Sequence, residues 1–402
     1  MDNAKNTTLF PYLERLLEGE EVEWKTLGEV AEFKRGQTIT QKTAQAGVYP
    51  VISGGQQPAY YIDQYNRTGQ TITVAGSGAY AGFVMFWNEP IFVSDAFSIK
   101  ANEEVLLPRY VFHFLLNKQN SIFNLKRGSG VPHVYAKDLA VFSIPIPPLR
   151  VQARIVEILD KFTQLEAQLE VELEARKKQY AYYRDQLLNF SQYPPLNVNI
   201  EWKTLGEVAE LIRGNGLSKK DFSEFGIPAI HYGQIYTYYG NETEETLSFV
   251  SPETAKKLQK VYPGNIVITN TSENIEDVCK SVLYSGNVEA VTGGHATIIR
   301  PKDYILSKYL VYYTLTLDFF TQKKRLAKGT KVIDVSAKDL AKIVIPLPPL
   351  SEQRRIVDIL DRFDTLTNSI SEGLPKEIAL RRKQYEYYRD ALLSFPRPEV
   401  SA

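Results

Sequence analysis

Basic side chains set beside glycine and hydroxyl residues are the groups in this sequence best suited to hold an anion. Lys34-Arg35-Gly36-Gln37 is followed by Lys42, and Lys126-Arg127-Gly128-Ser129-Gly130 comes later. Arg213-Gly214-Asn215 is followed by Lys219-Lys220, and Lys328-Gly329-Thr330-Lys331 is preceded by Lys323-Lys324-Arg325. Cations beside an open backbone let guanidinium, ammonium and N–H groups meet phosphate oxygens together. A second set offers hydrogen-bonding edges. It comprises Ser53, Gln56, Gln57, Tyr60, Ser77 and Tyr80 in the first half, and His231, Tyr232, Gln234, Asn270, Ser272 and His295 in the second. Tyr61, Ser94, Asp95 and Tyr236 complete the polar set around these candidates. Gln and Asn match the edge of adenine, Lys and Arg that of guanine. A lone basic-glycine loop is usually a solvated turn, and any one polar residue is usually a turn residue. Recurrence at matched places in two halves is what singles these out.

Catalytic signatures fare worse. In GSGAYAG (76–82) the third glycine falls one place late, and FVMFW reads as a strand where a dinucleotide loop needs a helix N-terminus. There is no GxxxxGK[ST] loop. The three Pro-Pro pairs follow Ile146, Tyr193 and Leu347, none with the preceding Asp or Asn that holds a target amine. Glu23-Trp24-Lys25 has the ExK form of a nuclease centre, but it lacks an upstream acid and recurs as Glu201-Trp202-Lys203, which suits packing at a strand entrance. His113, His133, His231 and His295 show no metal-ligand spacing, and no nucleophile elbow occurs. The chain is expected to bind rather than to catalyse.

The elements that must position these groups come twice. EWKTLGEVAE at 23–32 returns at 201–210, and AKDLA at 136–140 returns at 337–341. SIPIPPL (143–149) becomes VIPLPPL (344–350), and QARIVEILDKF (152–162) becomes QRRIVDILDRF (353–363). RKKQYAYYRDQLLNF (176–190) becomes RRKQYEYYRDALLSF (381–395). Between these blocks the letters diverge, with only loose echoes such as TITVAGS (71–77) against IVITNTS (266–272). Repeated ends around changed centres predict one scaffold presenting two recognition surfaces.

Residues 150–193 and 351–395 read as long helices carrying a heptad seam. Ile155, Leu159, Phe162, Leu169 and Leu173 form the first seam, interrupted by Glu166 and Arg176; Ile356, Leu360, Phe363 and Ile370 form the second. Forty residues at 1.5 Å each give a rod of roughly 60 Å. Four extra residues around Glu372–Pro375 keep the seam phase as a stutter, but Gly373 and Pro375 should kink or break the helix. The blocks 23–149 and 201–350 read as mixed domains of short strands and turns, with helical stretches near Leu107–Asn117 and Leu306–Phe320. Residues 1–22 carry a short amphipathic helix. The expected architecture is α+β: two mixed α/β globular domains separated by two long helices that pair as an antiparallel coiled coil, with pseudo-two-fold symmetry.

Bulk properties set bounds. At 402 residues two or more domains are expected, and 44% hydrophobic with 23% charged residues excludes wholesale disorder. Forty-seven basic and 47 acidic residues cancel, so any nucleic-acid contact must be local. The lone Cys279 and the lack of a signal-like or membrane-spanning run predict a cytoplasmic protein.

The paired IPxPPLxxQxRIVxILDxF pattern, following a basic-glycine loop and AKDLA and occurring twice after EWKxLGEV, resembles the specificity subunits of type I restriction-modification systems. The match covers nearly the whole chain. The resemblance implies two target-recognition domains, each reading one half of a bipartite site in double-stranded DNA. It implies that the paired helices set the half-site spacing and dock two methyltransferase subunits. Restriction-translocase subunits join the same complexes, and S-adenosylmethionine, ATP and magnesium sit on the partners, with no cofactor, metal or catalytic residue in this chain. Two rival readings remain: a coiled-coil adaptor that ignores nucleic acid, and a DNA methyltransferase or nuclease with an unfamiliar motif.

Overall fold

The repeated blocks turn out to be the fasteners of two separate frames. A computed structural model describes residues 10–194, 198–369 and 371–397. The chain forms two compact units: one from the residues up to Leu169 together with those from Ile378 onward, the other from Glu170 to Glu377.

The first unit opens with α1 (Pro11–Leu17), β1 (Glu23–Thr26), α2 (Leu27–Val30) and β2 (Ala31–Arg35). β3 (Ala46–Ile52), β4 (Tyr61–Ile62), β5 (Thr71–Ala75), β6 (Val84–Trp87), β7 (Phe92–Val93) and β8 (Ala96–Ala101) follow. Then come α3 (Pro108–Asn117), α4 (Gln119–Phe123), α5 (Ala136–Ala140), β9 (Ser143–Ile146) and the start of α6 (Leu149–Leu188). The strands form a sheet of order β2-β8-β5-β6, a second of order β4-β3-β7, and the ribbon β1-β9. Central β5, TITVA, is buried at every position, as its β-branched run on two covered faces demands.

The second unit repeats the plan at greater length. It contains β10 (Glu201–Thr204), α7 (Leu205–Val208), β11 (Ala209–Arg213), β12 (Phe222–Ser223), β13 (Ile227–Ile230) and α8 (Tyr232–Thr237). β14 (Glu242–Thr243), β15 (Ser248–Val250), α9 (Pro252–Ala255), β16 (Gln259–Val261), β17 (Ile266–Thr269), β18 (Thr271–Ser272), β19 (Ser281–Tyr284), β20 (Ala290–Thr292) and β21 (Ala296–Pro301) complete its centre. α10 (Ser307–Thr314), α11 (Leu317–Leu326), β22 (Ile333–Asp334), α12 (Ala337–Leu340), β23 (Val344–Leu347) and α13 (Leu350–Asn368) follow, and α14 (Gly373–Leu392) begins here and from Ile378 onward belongs to the first unit. Its sheets run β11-β21-β17-β19-β14 and β12-β15-β13-β20-β16, with the ribbons β10-β23 and β18-β22.

Each repeated motif has the same structural task in both units. Thr26 and Thr204 cap the helices that follow, and Glu29 and Glu207 close the capping boxes, with Glu carboxylates 2.6 and 2.7 Å from the threonine N–H. β1 pairs with β9 and β10 with β23 in the same register, so EWKT lies on the proline-bearing strand each time. Gln152 is fully buried and bonds Leu107 N–H, Val105 O and Pro147 O; Gln353 bonds Leu306 N–H, Tyr304 O and Pro348 O. Buried Tyr110 and Tyr309 donate to Pro145 O and Pro346 O. These bonds satisfy backbone groups that would otherwise be stranded in the core, which explains why the letters around them are kept.

The helices are divided between the units rather than standing apart as separate segments at 150–193 and 351–395. In the first unit Ile155 and Leu159 enter the globular core, where Tyr385, Leu392, Leu393 and Phe395 of the C-terminal segment join them. Phe162 stacks on Tyr388 at 5.3 Å, and Arg382 Nε lies 2.8 Å from Glu166; contacts that ascend one helix descend the other, so the pair is antiparallel. In the second unit Ile356 and Leu360 join Tyr180, Leu188 and Phe190, and Phe363 stacks on Tyr180 and Tyr183. The seam polar residues are partnered: Glu166 by Arg382, Arg176 by Glu172 and Gln179. Leu169 and Leu173 are only half-buried, so the seam is weaker there than the heptad pattern predicts. Ile370 lies outside the described residues. α6 stops at Leu188, short of the expected 193, and the second rod is broken between Asn368 and Gly373. Gly373 sits at φ +72°, and a Cβ there would meet Thr365 O at 2.3 Å, so glycine enforces the break. The N-terminal helix is anchored in the first core by Leu13 and Leu17. No helix of the described residues is long and apolar enough to cross a membrane.

Candidate nucleic-acid interface

The ends of β2, β3 and β5, the β7–β8 corner and the basic-glycine loop converge on one edge of the first unit. They line a cleft of about 700 Å³ whose walls include Arg35, Ser53, Asp95, His133, Tyr135 and Lys137. Gly36 N–H bonds Ala96 O at 2.9 Å, and a Cβ on Gly36 would fall 2.0 Å from Ser94 O, so the chain after Arg35 lies directly on the corner. Ser77 bonds the Asp95 carboxylate. Arg127 and His133 exchange both backbone hydrogen bonds, and Val134 N–H bonds Gly76 O, which fastens the basic loop to the end of β5.

The second unit repeats this edge bond for bond. Gly214 N–H bonds Ala296 O at 2.9 Å; Lys328 and Asp334 exchange both backbone bonds; Val335 N–H bonds Asn270 O. Gly76 N–H bonds Asp95 O, and Asn270 N–H bonds His295 O. These matches equate Arg35 with Arg213, Gly76 with Asn270, Ser77 with Thr271, Asp95 with His295 and Arg127 with Lys328. The register differs by one residue from the echo of TITVAGS in IVITNTS, which set Ser77 opposite Ser272. A slip of one residue turns every side chain to the other face of a strand. Asn270 is accordingly fully buried, with its amide on Val335 O and its carbonyl oxygen on the Thr297 hydroxyl. It is a core residue and is withdrawn as a base contact. Thr271, which sequence reasoning passed over, is half-buried at this edge and bonds Nδ1 of the exposed His295 at 3.0 Å.

The basic loops are held by the repeated AKDLA helices. Arg127 pairs with Asp138 at 3.2 Å and Lys328 with Asp339 at 2.8 Å, both cations remaining largely exposed. Hydrogen bonds from Lys328, Lys342 and Ser336 hold the Asp339 carboxyl well below the usual carboxylate range, and the same pairing raises the Lys328 ammonium. Such tethers orient a cation without burying it.

Other candidates are placed variously. Lys34, Gln37, Lys42, Gln56, Gln57, Ser129, Lys219, Lys220, Thr330 and Lys331 are exposed. Lys34 lines a separate depression with Arg67 and Lys100. Tyr80 is exposed, whereas Tyr60 donates to Ile39 O and Lys126 to Ala79 O. Arg213 lies 4.0 Å from Asp334, and the Asn215 amide is spent on Lys257 O. His231 is buried and accepts from Gly233 N–H; burial, then Lys219 and His295, lower its basicity, so it caps a helix as a neutral ring. Gln234 bonds Ser248, and Ser272 is half-buried in the β18–β22 ribbon. Tyr232 lies between the His231 and His295 rings, at 4.6 and 4.8 Å. Among the described residues no group of three His, Cys, Asp or Glu is arranged to hold a metal ion.

Comparison with known proteins bears on this geometry. A family profile described as the type I restriction modification DNA specificity domain matches residues 19–175 and again 197–380. The specificity subunit of the type I restriction enzyme EcoR124I/EcoR124II of Escherichia coli is 34% identical over 97% of this chain and 98% of its own length. A putative type I specificity subunit of Haemophilus influenzae is 32% identical over 96% and 98%. The crystal structure of an S subunit of a type I restriction-modification system from M. genitalium shares the fold, with a TM-score of 0.59 at 17% identity over 94% and 97% of the two chains.

Proposed function

The chain belongs to the family of DNA specificity subunits of type I restriction-modification systems, and we propose that its two units each read one half of an interrupted, asymmetric DNA site. DNA sequence specificity is the function; what is proposed is how this chain divides it. The reading is supported by one observation above the rest: two edges with the same backbone bonds carry different side chains, Ser77–Asp95 in one and Thr271–His295 in the other. Identical frames would make identical readers, so the substituted groups are where two half-sites become different.

In this reading Arg35, Arg127, Arg213 and Lys328 take phosphate oxygens and set the register, and the groups between them meet base edges. The paired helices fix the spacing of the half-sites and dock two methyltransferase subunits, and restriction-translocase subunits complete the complex. Exposed Tyr182, Tyr183, Tyr387 and Tyr388 are the docking candidates; Tyr180 and Tyr385 are buried and serve the helix pair itself. S-adenosylmethionine, ATP and magnesium belong to the partners, and this chain contributes recognition without catalysis, in the cytoplasm. Neutral net charge fits a subunit whose partners supply part of the phosphate binding.

Filter binding of the chain with its methyltransferase subunits, across a salt series and against scrambled DNA, tests the proposal. Sequence-specific binding with a steep salt slope is expected. Absence of any specific binding in the assembled complex would defeat it, and methyl transfer by the isolated chain would restore the enzymatic reading.

A further inference from the structure

The matched pairs differ in what they can accept. Asp95 lies at the exposed β7–β8 corner and lines the cleft; one carboxylate oxygen receives the Ser77 hydroxyl, and no described donor bonds the other. A carboxylate at a DNA-facing edge is repelled by phosphates and by the acceptor atoms of guanine and thymine. It is stabilised where it meets an exocyclic amino group, cytosine N4 or adenine N6, in the major groove. Arg35 and Lys137 on the same cleft supply the counter-charge that lets such a group approach the duplex. At the equivalent corner of the second unit, His295 pairs with Thr271, and its ring packs on Tyr232. When the Thr271 hydroxyl donates to Nδ1, Nε2 carries the proton, so the exposed ring offers a donor at the equivalent corner.

Resting on the reading that each unit takes one half-site, we propose that Asp95 selects a base bearing a major-groove amino group, and that His295, opposite in hydrogen-bonding sense, selects an acceptor in the other half. The two corners are the positions at which the half-sites are forced apart. Ser77 is a positioning residue that turns the Asp95 carboxylate toward the base, and Thr271 sets the His295 tautomer.

The test uses the chain assembled with its methyltransferase subunits and a library of duplexes whose methylated members are sequenced. Asp95→Asn and Asp95→Ala are expected to relax the preference at one base pair of one half-site by about tenfold or more, leaving the other half-site unchanged. His295→Phe should do the same in the other half alone. Ser77→Ala should relax the Asp95 position by less. Replacing the selected base by its analogue lacking the amino group should weaken methylation by wild-type complex and leave Asp95→Ala indifferent, which a merely structural role would not produce. Asp95 is exposed, so unchanged melting of the variants is expected and separates loss of reading from loss of fold. Undiminished wild-type discrimination at every position in both Asp95 variants overturns the inference while the half-site reading stands. A wild-type complex that methylates without sequence preference overturns both.

Discussion

The edge of the first unit and the edge of the second are built with the same backbone bonds and finished with opposite chemistry. Gly36 and Gly214 rest on equivalent carbonyls, and Arg127 and Lys328 are held by the same acid of the same helix, yet Asp95 stands where His295 stands. The second unit also adds strands, a second five-stranded sheet and the Phe222–His231–Tyr232–His295 run of rings, where the first has a three-stranded sheet and a cleft. The difference teaches that a scaffold can keep its fasteners fixed and change its readers only where the fasteners do not pass through the side chain.

If that separation is right, matched fasteners should matter equally and matched readers unequally. The largest stability effect is expected in the cores. Leu159→Ala and Leu360→Ala should each cost roughly 3 kcal/mol in urea unfolding, since both side chains are fully buried at equivalent helix positions. Half-buried Leu169 and Leu173 should cost clearly less as alanine, and a larger loss there would restore the stronger seam that the heptads suggest. Next come Gln152→Ala and Gln353→Ala, each leaving three backbone groups, one of them buried and two partly buried, without their side-chain partner and each expected to cost about 2–3 kcal/mol. A large inequality between the two would show that the frames are not equivalent.

A smaller effect separates the units by pH. His113 is buried against Asp160 and Tyr385, and burial lowers its basicity more than the Asp160 bond raises it; its counterpart in the second unit is Tyr312, bonded to Asp361. The unfolded histidine takes a proton near its ordinary pKa of about 6.5 while the folded one resists. Stability of the first unit should therefore fall as pH drops through that value, by at most about 1.4 kcal/mol per pH unit. Thermal melts of His113→Asn should lose this slope; an unchanged slope would assign it to other groups. Smallest is the phosphate contribution: Arg127→Ala and Lys328→Ala should each reduce the slope of log K against log salt by about one in filter binding, without altering the preferred sequence.

The fold was legible where letters repeat, because duplicated motifs mark bonds that both units need: the capping threonines, Gln152 and Gln353, and the prolines beneath Tyr110 and Tyr309. The helix break was legible in Gly373. The candidate surfaces were legible only as loops. Burial separates Arg127 from Asn270, and a bond to Lys257 O separates it from the exposed Asn215; no local pattern records either. Thr271, and the equivalence of Asp95 with His295, were hidden for a different reason. Both follow from a strand register set by pairing with β21 and β8, and a one-residue ambiguity in a divergent strand leaves the wrong face in view.

A chain in which residues 33–135 are replaced by its own residues 211–336 would carry the second reader in both frames, and sequencing the sites its methyltransferase complex modifies would weigh the account directly. Two half-sites of identical sequence, both matching the second half of the wild-type site, are the predicted result. Persistence of the wild-type asymmetric site would place specificity in the repeated frames and contradict the account.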